Sequence, residues 1–285
     1  MPPAADLGSA LAGALPAISL IALASAYALR VVHLSTAGRP VPLRRQVSFL
    51  AGVVVIAVAL VSPLSGLADE LLTFHMLQHL LLIFVTAPLW LAGMPEWLLR
   101  RLVMRWPVDR IGRFLTRPVV AFGVASVIIS FWHLPVGYQA ALNNEPVHVV
   151  QHVSFLVAAV LSWWPVFGRL REWPRLPPPL RCVYLFVWTV PGNIVGSFVT
   201  FAEPGLYPHY NPAPRIFGIG LEMDQQIAGL MMSVLTSFVY LLILTAVFFR
   251  WAAGEDAKEA RRRPQPAAPA RDPVARFDSS GSSAG

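Results

Sequence analysis

Residues 69–95 form the stretch DELLTFHMLQHLLLIFVTAPLWLAGMP. It begins with two acidic residues, passes through His75 and His79, and then contains no charged side chain from Leu80 to Gly93. An apolar helix of about 20 residues is long enough to cross a bilayer. The stretch therefore predicts a membrane-spanning helix with two histidines, four residues apart and on one face, near its start.

The composition of the whole chain is that of a membrane protein. The chain is 56% hydrophobic and 13% charged, with a mean hydropathy of +0.59. A soluble domain of this length could not bury so much apolar surface. Seven apolar segments are candidates for crossing a bilayer, the fourth being the shortest: 10–32, 47–64, 71–92, 119–134, 147–167, 182–201 and 225–251. We expect an all-α polytopic membrane protein whose seven transmembrane helices form one domain (1–251), followed by a disordered, basic cytoplasmic tail (252–285).

The basic residues predict the orientation of these helices. Of the 22 lysines and arginines, 21 fall in loops, tail or helix ends on one side of the predicted bundle, and only Arg215 falls on the other. The positive-inside rule then predicts an N-out, C-in topology. We accordingly interpret the net charge of +7 as basic residues at the membrane surface, and not as a nucleic-acid-binding surface.

The histidine pattern of the third segment returns 73 residues later as His148-Val149-Val150-Gln151-His152, again where a segment begins. Segments three, five and seven all begin on the outer side in the predicted topology, and His133 ends segment four at the same level. Ionisable residues inside a membrane usually mark function and need partners, so these residues are candidate metal ligands: His75, His79, His148, His152, His133 and Asp224. Interhelical packing is the alternative for each histidine, above all for His133, and Asp224 could equally cap a helix N-terminus.

Four motifs in this order resemble the CtaG family: His75-Met76-Leu77-Gln78-His79-Leu80-Leu81-Leu82, Phe131-Trp132-His133-Leu134-Pro135, His148 to Phe155 with Trp163-Trp164-Pro165, and Asp224-Gln225-Gln226-Ile227-Ala228-Gly229. The resemblance covers about Val47 to Arg250. Members of this family are seven-span proteins associated with the assembly of caa-type cytochrome c oxidases. One departure is that Gly229 is followed by Leu-Met-Met-Ser, where the family tends to have a Trp and then a Pro.

The resemblance implies a non-enzymatic assembly factor in the bacterial cytoplasmic membrane, with cytochrome c oxidase subunits and a periplasmic copper donor as partners. The implied task is delivery of copper to the CuB centre. Neutral imidazoles suit copper, so the outer-face histidines agree with that cargo. Two alternatives stay open, a haem-binding electron carrier and a metal-free scaffold for oxidase subunits. A metalloprotease is disfavoured because Met76 stands where the H-E-x-x-H motif has its general base.

Three smaller features also lead to predictions. Asn193, beside Pro191-Gly192 within segment six, is expected to form an interhelical hydrogen bond. Pro88 is expected to kink the inner half of segment three. The loop 94–118, rich in Arg and Trp, is expected to hold a short interfacial helix.

Overall fold

The computed structural model describes residues 7–262, with side chains from residue 16 onward, and all regular structure within this range is helical. Between residues 7 and 262 fourteen α-helices follow one another. They are α1 (Leu7–Thr36), α2 (Leu43–Leu60), α3 (Pro63–Glu70), α4 (Leu72–Leu80), α5 (Ala87–Gly93), α6 (Glu96–Val103), α7 (Val108–Leu115), α8 (Pro118–His133), α9 (Pro135–Leu142), α10 (Glu145–Phe167), α11 (Pro178–Val187), α12 (Thr189–Phe201), α13 (Leu221–Leu230) and α14 (Thr236–Arg262).

Six helical segments within the described range are long and apolar enough to cross a membrane. They are Pro16–Thr36, Leu43–Leu60, Leu72–Gly93, Glu145–Phe167, Pro178–Phe201 and Leu221–Arg262. The pair α7 and α8, bent by 84°, makes a seventh if it is counted as one span. The all-α architecture with six to seven candidate spans confirms that part of the expectation, and the short fourth segment corresponds to α8. The N-out, C-in orientation stays a prediction.

The predicted tail differs from the structure in its first part. We expected disorder from residue 252, but α14 continues to Arg262. The reason is local, because Ala, Glu, Lys and Arg are strong helix formers and Lys258 pairs with Glu255 at 2.8 Å, three residues away on the helix. The part of this helix beyond Phe248 belongs to a separate unit of the chain. Residues 263–285 lie outside the described residues, and their disorder stays a prediction.

Two spans contain a π-helical turn. The first, Leu81–Thr86, lies directly before Pro88 in the third span, where the sequence predicted a kink. The Trp163 indole N–H donates to the Ile83 carbonyl at 2.8 Å, which gives a backbone oxygen of this turn a partner. The second, Met231–Leu235, coincides with the Leu-Met-Met-Ser departure from the family pattern. Such turns occur frequently at functional sites.

The largest core cluster lies between α5, α8, α10, α11 and the start of α14. It contains Trp163, which is fully buried and whose ring lies 5.4 Å from the Tyr240 ring in a tilted contact. Small residues let the neighbouring helices approach this aromatic pair: Ala87, Ala125, Ala158 and Ala159. This cluster fixes α10 against the third span, and these two segments contain the repeated histidine motif.

Glycines bring α12 and α13 into close contact. A Cβ atom added to Gly229 would lie 2.6 Å from the Thr200 backbone nitrogen and 2.7 Å from the Gly196 carbonyl oxygen, so only glycine fits this crossing. Farther along the same interface Asn193 donates to the Ser237 hydroxyl at 2.8 Å. This bond joins α12 to α14 and confirms the predicted interhelical hydrogen bond.

The loop 94–118 forms the two short helices α6 and α7, which confirms the prediction of short helical structure there. In α7 Asp109 accepts hydrogen bonds from Arg113 at 2.9 Å and from the Trp173 indole at 2.9 Å. These hydrogen bonds lower the pKa of the Asp109 carboxyl below its ordinary value. The loop is thereby tied to the segment between α10 and α11.

Candidate metal centre

Three helices bring five histidines together. His75 and His79 lie on α4, His148 and His152 lie on α10, and His133 is the last residue of α8. Ring centroids are 5.3 Å apart for His75 and His148, 5.4 Å for His79 and His152, and 6.0 Å for His79 and His133. The convergence of the two H-x-x-Q-H pairs, predicted from their equal positions at the starts of two spans, is therefore confirmed. We call these five residues the histidine cluster.

Three members of the histidine cluster come closest to the arrangement that an ion requires. His75, His148 and His152 each offer a ring nitrogen, and these atoms all lie within 4.8 Å of one another. Imidazole nitrogens bind metals at about 2.0–2.1 Å, so two ligands of one ion are at most about 4 Å apart. Side-chain rotations that move the nitrogens by on the order of 1 Å would suffice. We call these three residues the outer triad.

Unpartnered nitrogen atoms support a ligand in the cluster. Both ring nitrogens of His75 and His79, and the Nε2 atoms of His133, His148 and His152, are buried without a hydrogen-bond partner among the described residues. A buried polar atom without a partner costs about 1–3 kcal/mol, so such a concentration of them requires an explanation. A cation bound by imidazole lone pairs supplies one, and the residues present fit a metal such as copper.

His133 has the hydrogen bonding of a metal-binding histidine. Its Nδ1 lies 2.6 Å from the Ile129 carbonyl oxygen, which can only accept, so Nδ1 carries the proton and Nε2 keeps its lone pair. Metal-ligating histidines commonly donate their second nitrogen in this way. His79 and His133 also line a buried, largely apolar cavity of about 50 Å³, and the Phe155 ring contacts both imidazoles.

Hydrogen bonds around the cluster fix the helices that bear it. The Gln78 amide donates to the Ala59 carbonyl at 2.7 Å and joins α4 to α2. The Trp132 indole donates to the Ser154 hydroxyl at 2.7 Å and joins α8 to α10. The side chain of Gln151, the corresponding glutamine of the second motif, is buried and forms no hydrogen bond in the described part of the chain. The first glutamine is thus explained as a helix-to-helix contact, and the second is not.

Asp224, for which metal ligand and helix cap were equal alternatives, lies in the first turn of α13 and contacts the start of α4. Its two carboxylate oxygens accept hydrogen bonds from the backbone nitrogens of Leu72 at 2.7 Å and Thr73 at 2.9 Å. Asp224 therefore caps α4, three residues before His75, and it is not a member of the outer triad. These contacts agree with the helix-cap alternative, although the capped helix is α4 and not the one that contains Asp224. The aspartate orients the helix that bears two histidines.

The neighbouring Gln225 holds the loop between α12 and α13. Its amide oxygen accepts from the backbone nitrogens of Gly205 and Leu206 at 3.1 and 3.2 Å. Its amide nitrogen donates to three carbonyl oxygens at the end of α12 and just beyond it, those of Val199, Ala202 and Glu203. Asp224 and Gln225 of the fourth motif therefore hold α4 and the loop between α12 and α13 in place through hydrogen bonds.

Three tyrosines, to which the sequence analysis assigned no role, cover the cluster. Tyr207 donates to the His133 carbonyl at 2.8 Å, Tyr210 donates to the Ala68 carbonyl at 3.2 Å, and Tyr138 stacks on Tyr207 at 4.0 Å. The Tyr138 ring also lies 5.1 Å from the ring of His75. Burial raises the pKa of Tyr207 and of Tyr210, so both phenols stay protonated. We call Tyr138, Tyr207 and Tyr210 the tyrosine cover. In the sequence these tyrosines are visible as aromatic residues between the candidate spans, and no pattern there indicates that they contact the histidines.

Acidic residues border the exposed side of the outer triad. The side chain of His148 is 19% exposed, and its Nδ1 lies 3.9 Å from a carboxylate oxygen of Glu145. Burial raises the pKa of the Asp69 carboxyl. Positive charge on the nearby His148 and His209 rings would lower this pKa by a smaller amount. His209 contacts the Tyr210 ring at 5.1 Å and lies apart from the five clustered rings. The mouth of the site thus combines carboxylates with the partly exposed imidazoles of His148 and His152.

Comparison with known proteins gives two distant relatives and one family. An uncharacterised protein of Mycobacterium bovis and one of Mycobacterium tuberculosis are each 23% identical to this chain over 260 residues. The match covers 85% of this chain but 39% of each relative, so the chain spans about two fifths of their length. No solved structure matches the chain significantly. Residues 25–254 match the model of the family Caa3_CtaG, which is described as cytochrome c oxidase caa3 assembly factor. The chain belongs to this family.

Proposed function

We propose that this cytochrome c oxidase assembly factor holds copper in its histidine cluster and passes it on while the CuB centre of the oxidase matures. The observation that carries the proposal is the outer triad, in which three imidazole nitrogens from two facing helices lie within 4.8 Å of one another. Family membership supplies the process, oxidase assembly, and the triad supplies the chemistry.

The donor set suits a transferred cargo better than a permanent cofactor. Neutral imidazoles bind copper ions well, and an all-imidazole site lacks the thiolates that would hold copper most tightly. His75, His148 and His152 would hold the ion near the exposed mouth, where Glu145 and Asp69 attract cations. His79 and His133 offer further nitrogens deeper in the bundle. The role we propose is accordingly binding and transfer, without catalysis.

The partners follow from this cargo. The oxidase subunits that receive copper are the first, and a copper donor outside the cytoplasm is the second. In the predicted N-out, C-in topology the histidine cluster faces the periplasmic side of the bacterial cytoplasmic membrane, where such a donor would be found. The acidic mouth beside His148 would then be the entry point.

Haem binding has weaker support. A porphyrin needs a slot of at least about 300 Å³, the lower end of the range for ligand pockets, whereas the cavity beside His79 and His133 has about 50 Å³. The metal-free scaffold remains the alternative that the following experiment separates from copper delivery.

The test compares His75→Ala, which removes one residue of the outer triad, with the wild type in membranes that also contain the oxidase. We expect the variant to insert at the normal level while bound copper and active oxidase fall together. His33→Ala is the matched control, because His33 lies in the last turn of α1 at the opposite end of the bundle and is exposed. If His75→Ala only lowers the amount of protein, with oxidase falling in proportion, the histidines serve packing. Normal oxidase with normal amounts of the variant would contradict copper delivery.

A further inference from the structure

A second concave site lies at the opposite end of the bundle from the histidine cluster. It is a groove of about 570 Å³ between α1 and α6, closed at the back by α2 and the end of α5. Met94, at its base, follows the third span, whereas His75 lies in the first turn of that span. About 19 residues of helix, or roughly 28 Å, separate the two sites along the axis. We call this site the basic groove, since Arg30 lines it from α1 and Arg101 and Arg105 line it from the α6 side.

The two walls of the groove repeat one spacing. On α1 the lining residues are 23, 26, 27 and 30, and on the α6 side they are 98, 101, 102 and 105. This spacing of three, one and three residues places four side chains on one face of α1 and three on one face of α6, and Arg105 follows two residues after α6 ends. Both sets begin with a leucine and end with an arginine. The groove is therefore apolar along its length and basic at its edge.

The arginines at this edge differ from their neighbours in lacking carboxylate partners. Arg100 pairs with Glu96 and with Glu172, and Arg113 pairs with Asp109. Within residues 7–262 the structure shows no ion pair or hydrogen bond for the side chains of Arg30, Arg101 and Arg105 (the basic triad). Three guanidinium groups around one apolar groove are thus available for an external anion.

We propose that the basic groove binds one anionic phospholipid of the surrounding membrane. Its phosphate would lie among the guanidinium groups of the basic triad, because arginine binds phosphate through paired, charge-assisted hydrogen bonds. An acyl chain would lie along Leu23, Tyr27 and Leu102, which gives these side chains an apolar partner. Basic pockets between transmembrane helices are suited to anionic headgroups in this way.

Two observations favour a lipid over a protein segment as the occupant. The groove lies beside the candidate spans α1 and α2, is closed on its other side by the short helix α6, and is next to Trp106, which is 81% exposed directly after Arg105. Exposed tryptophans of this kind lie at the level of lipid headgroups. The opening also combines one anion site with an apolar floor, which matches the two parts of a phospholipid. A bound lipid would fill the space between α1 and α6, where Tyr27 stacking on Phe49 at 3.9 Å holds α1 to α2.

The experiment measures lipid binding to the purified full-length protein in detergent by native mass spectrometry. Phosphatidylglycerol is the probe, phosphatidylcholine is the zwitterionic control, and glycerol phosphate tests for a headgroup without acyl chains. We expect retention of one phosphatidylglycerol, with little retention of the other two. Equal binding of phosphatidylcholine would overturn the proposal, and so would equal binding of glycerol phosphate, because the site would then be a simple anion site.

Two variants test the place of binding. Neutralising the basic triad (Arg30→Gln, Arg101→Gln, Arg105→Gln) should weaken binding by about fivefold for each charge, or roughly a hundredfold in all. The matched control neutralises three exposed arginines outside the groove, Arg39, Arg110 and Arg171, and should change binding less than tenfold. Equal losses in both triple variants would mean general surface attraction and would refute a specific site.

The apolar part of the groove has its own variant. Ala26→Phe fills part of the groove from its α1 wall without changing charge, and it should weaken phosphatidylglycerol binding by at least tenfold while the protein stays folded and monodisperse. Unchanged binding by Ala26→Phe would show that no acyl chain occupies the groove, and the proposal would fail even if the arginines matter. Neither variant touches the histidine cluster, so copper binding should stay normal in both.

Discussion

Replacing Asp224 with alanine should destabilise the protein, because two backbone N–H groups of α4 lose their partners. The carboxylate is 1% exposed and accepts from Leu72 and Thr73 at 2.7 and 2.9 Å. Hydrogen bonds to charged groups contribute about 1.5–3 kcal/mol each, although measured values inside membrane proteins are nearer 0.6–1.7 kcal/mol. Two such bonds together give an expected loss of about 2–4 kcal/mol.

Asp224→Asn should lose less than the alanine variant. The amide keeps one accepting oxygen, but its nitrogen cannot accept, so one of the two N–H groups is left without a partner. We expect about half the loss of Asp224→Ala. Thermal unfolding in detergent measures the order of stability, and copper titration of the folded fraction measures whether binding per folded molecule is kept. Glu222→Gln is the control, since Glu222 is exposed in the same turn and bonds only to Gln226 in the structure.

The two measurements distinguish a helix cap from a metal ligand at Asp224. A cap changes stability strongly and copper affinity only through the folded fraction. Should Asp224→Ala unfold like the wild type while its copper affinity drops tenfold or more, Asp224 would be a metal ligand and the helix-cap interpretation would be wrong.

Three further changes test the surrounding structure. Trp163→Phe should cost about 1–3 kcal/mol, measured by thermal unfolding, because the Ile83 carbonyl loses its donor and a small cavity forms. Gly229→Ala should cost about 1–3 kcal/mol because its Cβ would collide with the backbone of α12, whereas Gly123→Ala, with open space around it, should be neutral. Burial raises the pKa of Asp69, so the wild type loses stability as pH rises from the ordinary carboxyl pKa through this raised value. Asp69→Asn does not titrate there and should therefore become more stable relative to the wild type over the same range. A stability difference that is independent of pH would contradict this assignment.

The sequence predicted the helical fold and the meeting of the two histidine pairs for the same physical reason. Apolar runs of bilayer length fix the number of spans approximately, and the topology then places the starts of alternate spans at one end. His75 and His148 begin such spans, so their convergence followed without any knowledge of distances. His133 was placed at the same level because it ends the span between them.

The remaining features depend on contacts that periodicity does not encode. Asp224 caps a helix 152 residues earlier in the chain, and no local pattern shows which N-terminus a carboxylate will reach. Tyr207 and Tyr210 of the tyrosine cover lie in the irregular loop between α12 and α13, and the position of this loop depends on its hydrogen bonds to Gln225. The helix beyond residue 251 was missed because its composition was interpreted as a tail, although several of its residues are strong helix formers.

X-ray absorption of the purified protein loaded with one equivalent of copper tests the central claim most directly. The outer triad predicts a first shell of nitrogen at about 2.0 Å with the outer-shell scattering of imidazole rings. The variant lacking His75, His148 and His152 should lose this signal, and His33→Ala should keep it. A protein that retains no copper, or copper whose spectrum contains no imidazole, would contradict the proposal that this assembly factor holds copper in its histidine cluster.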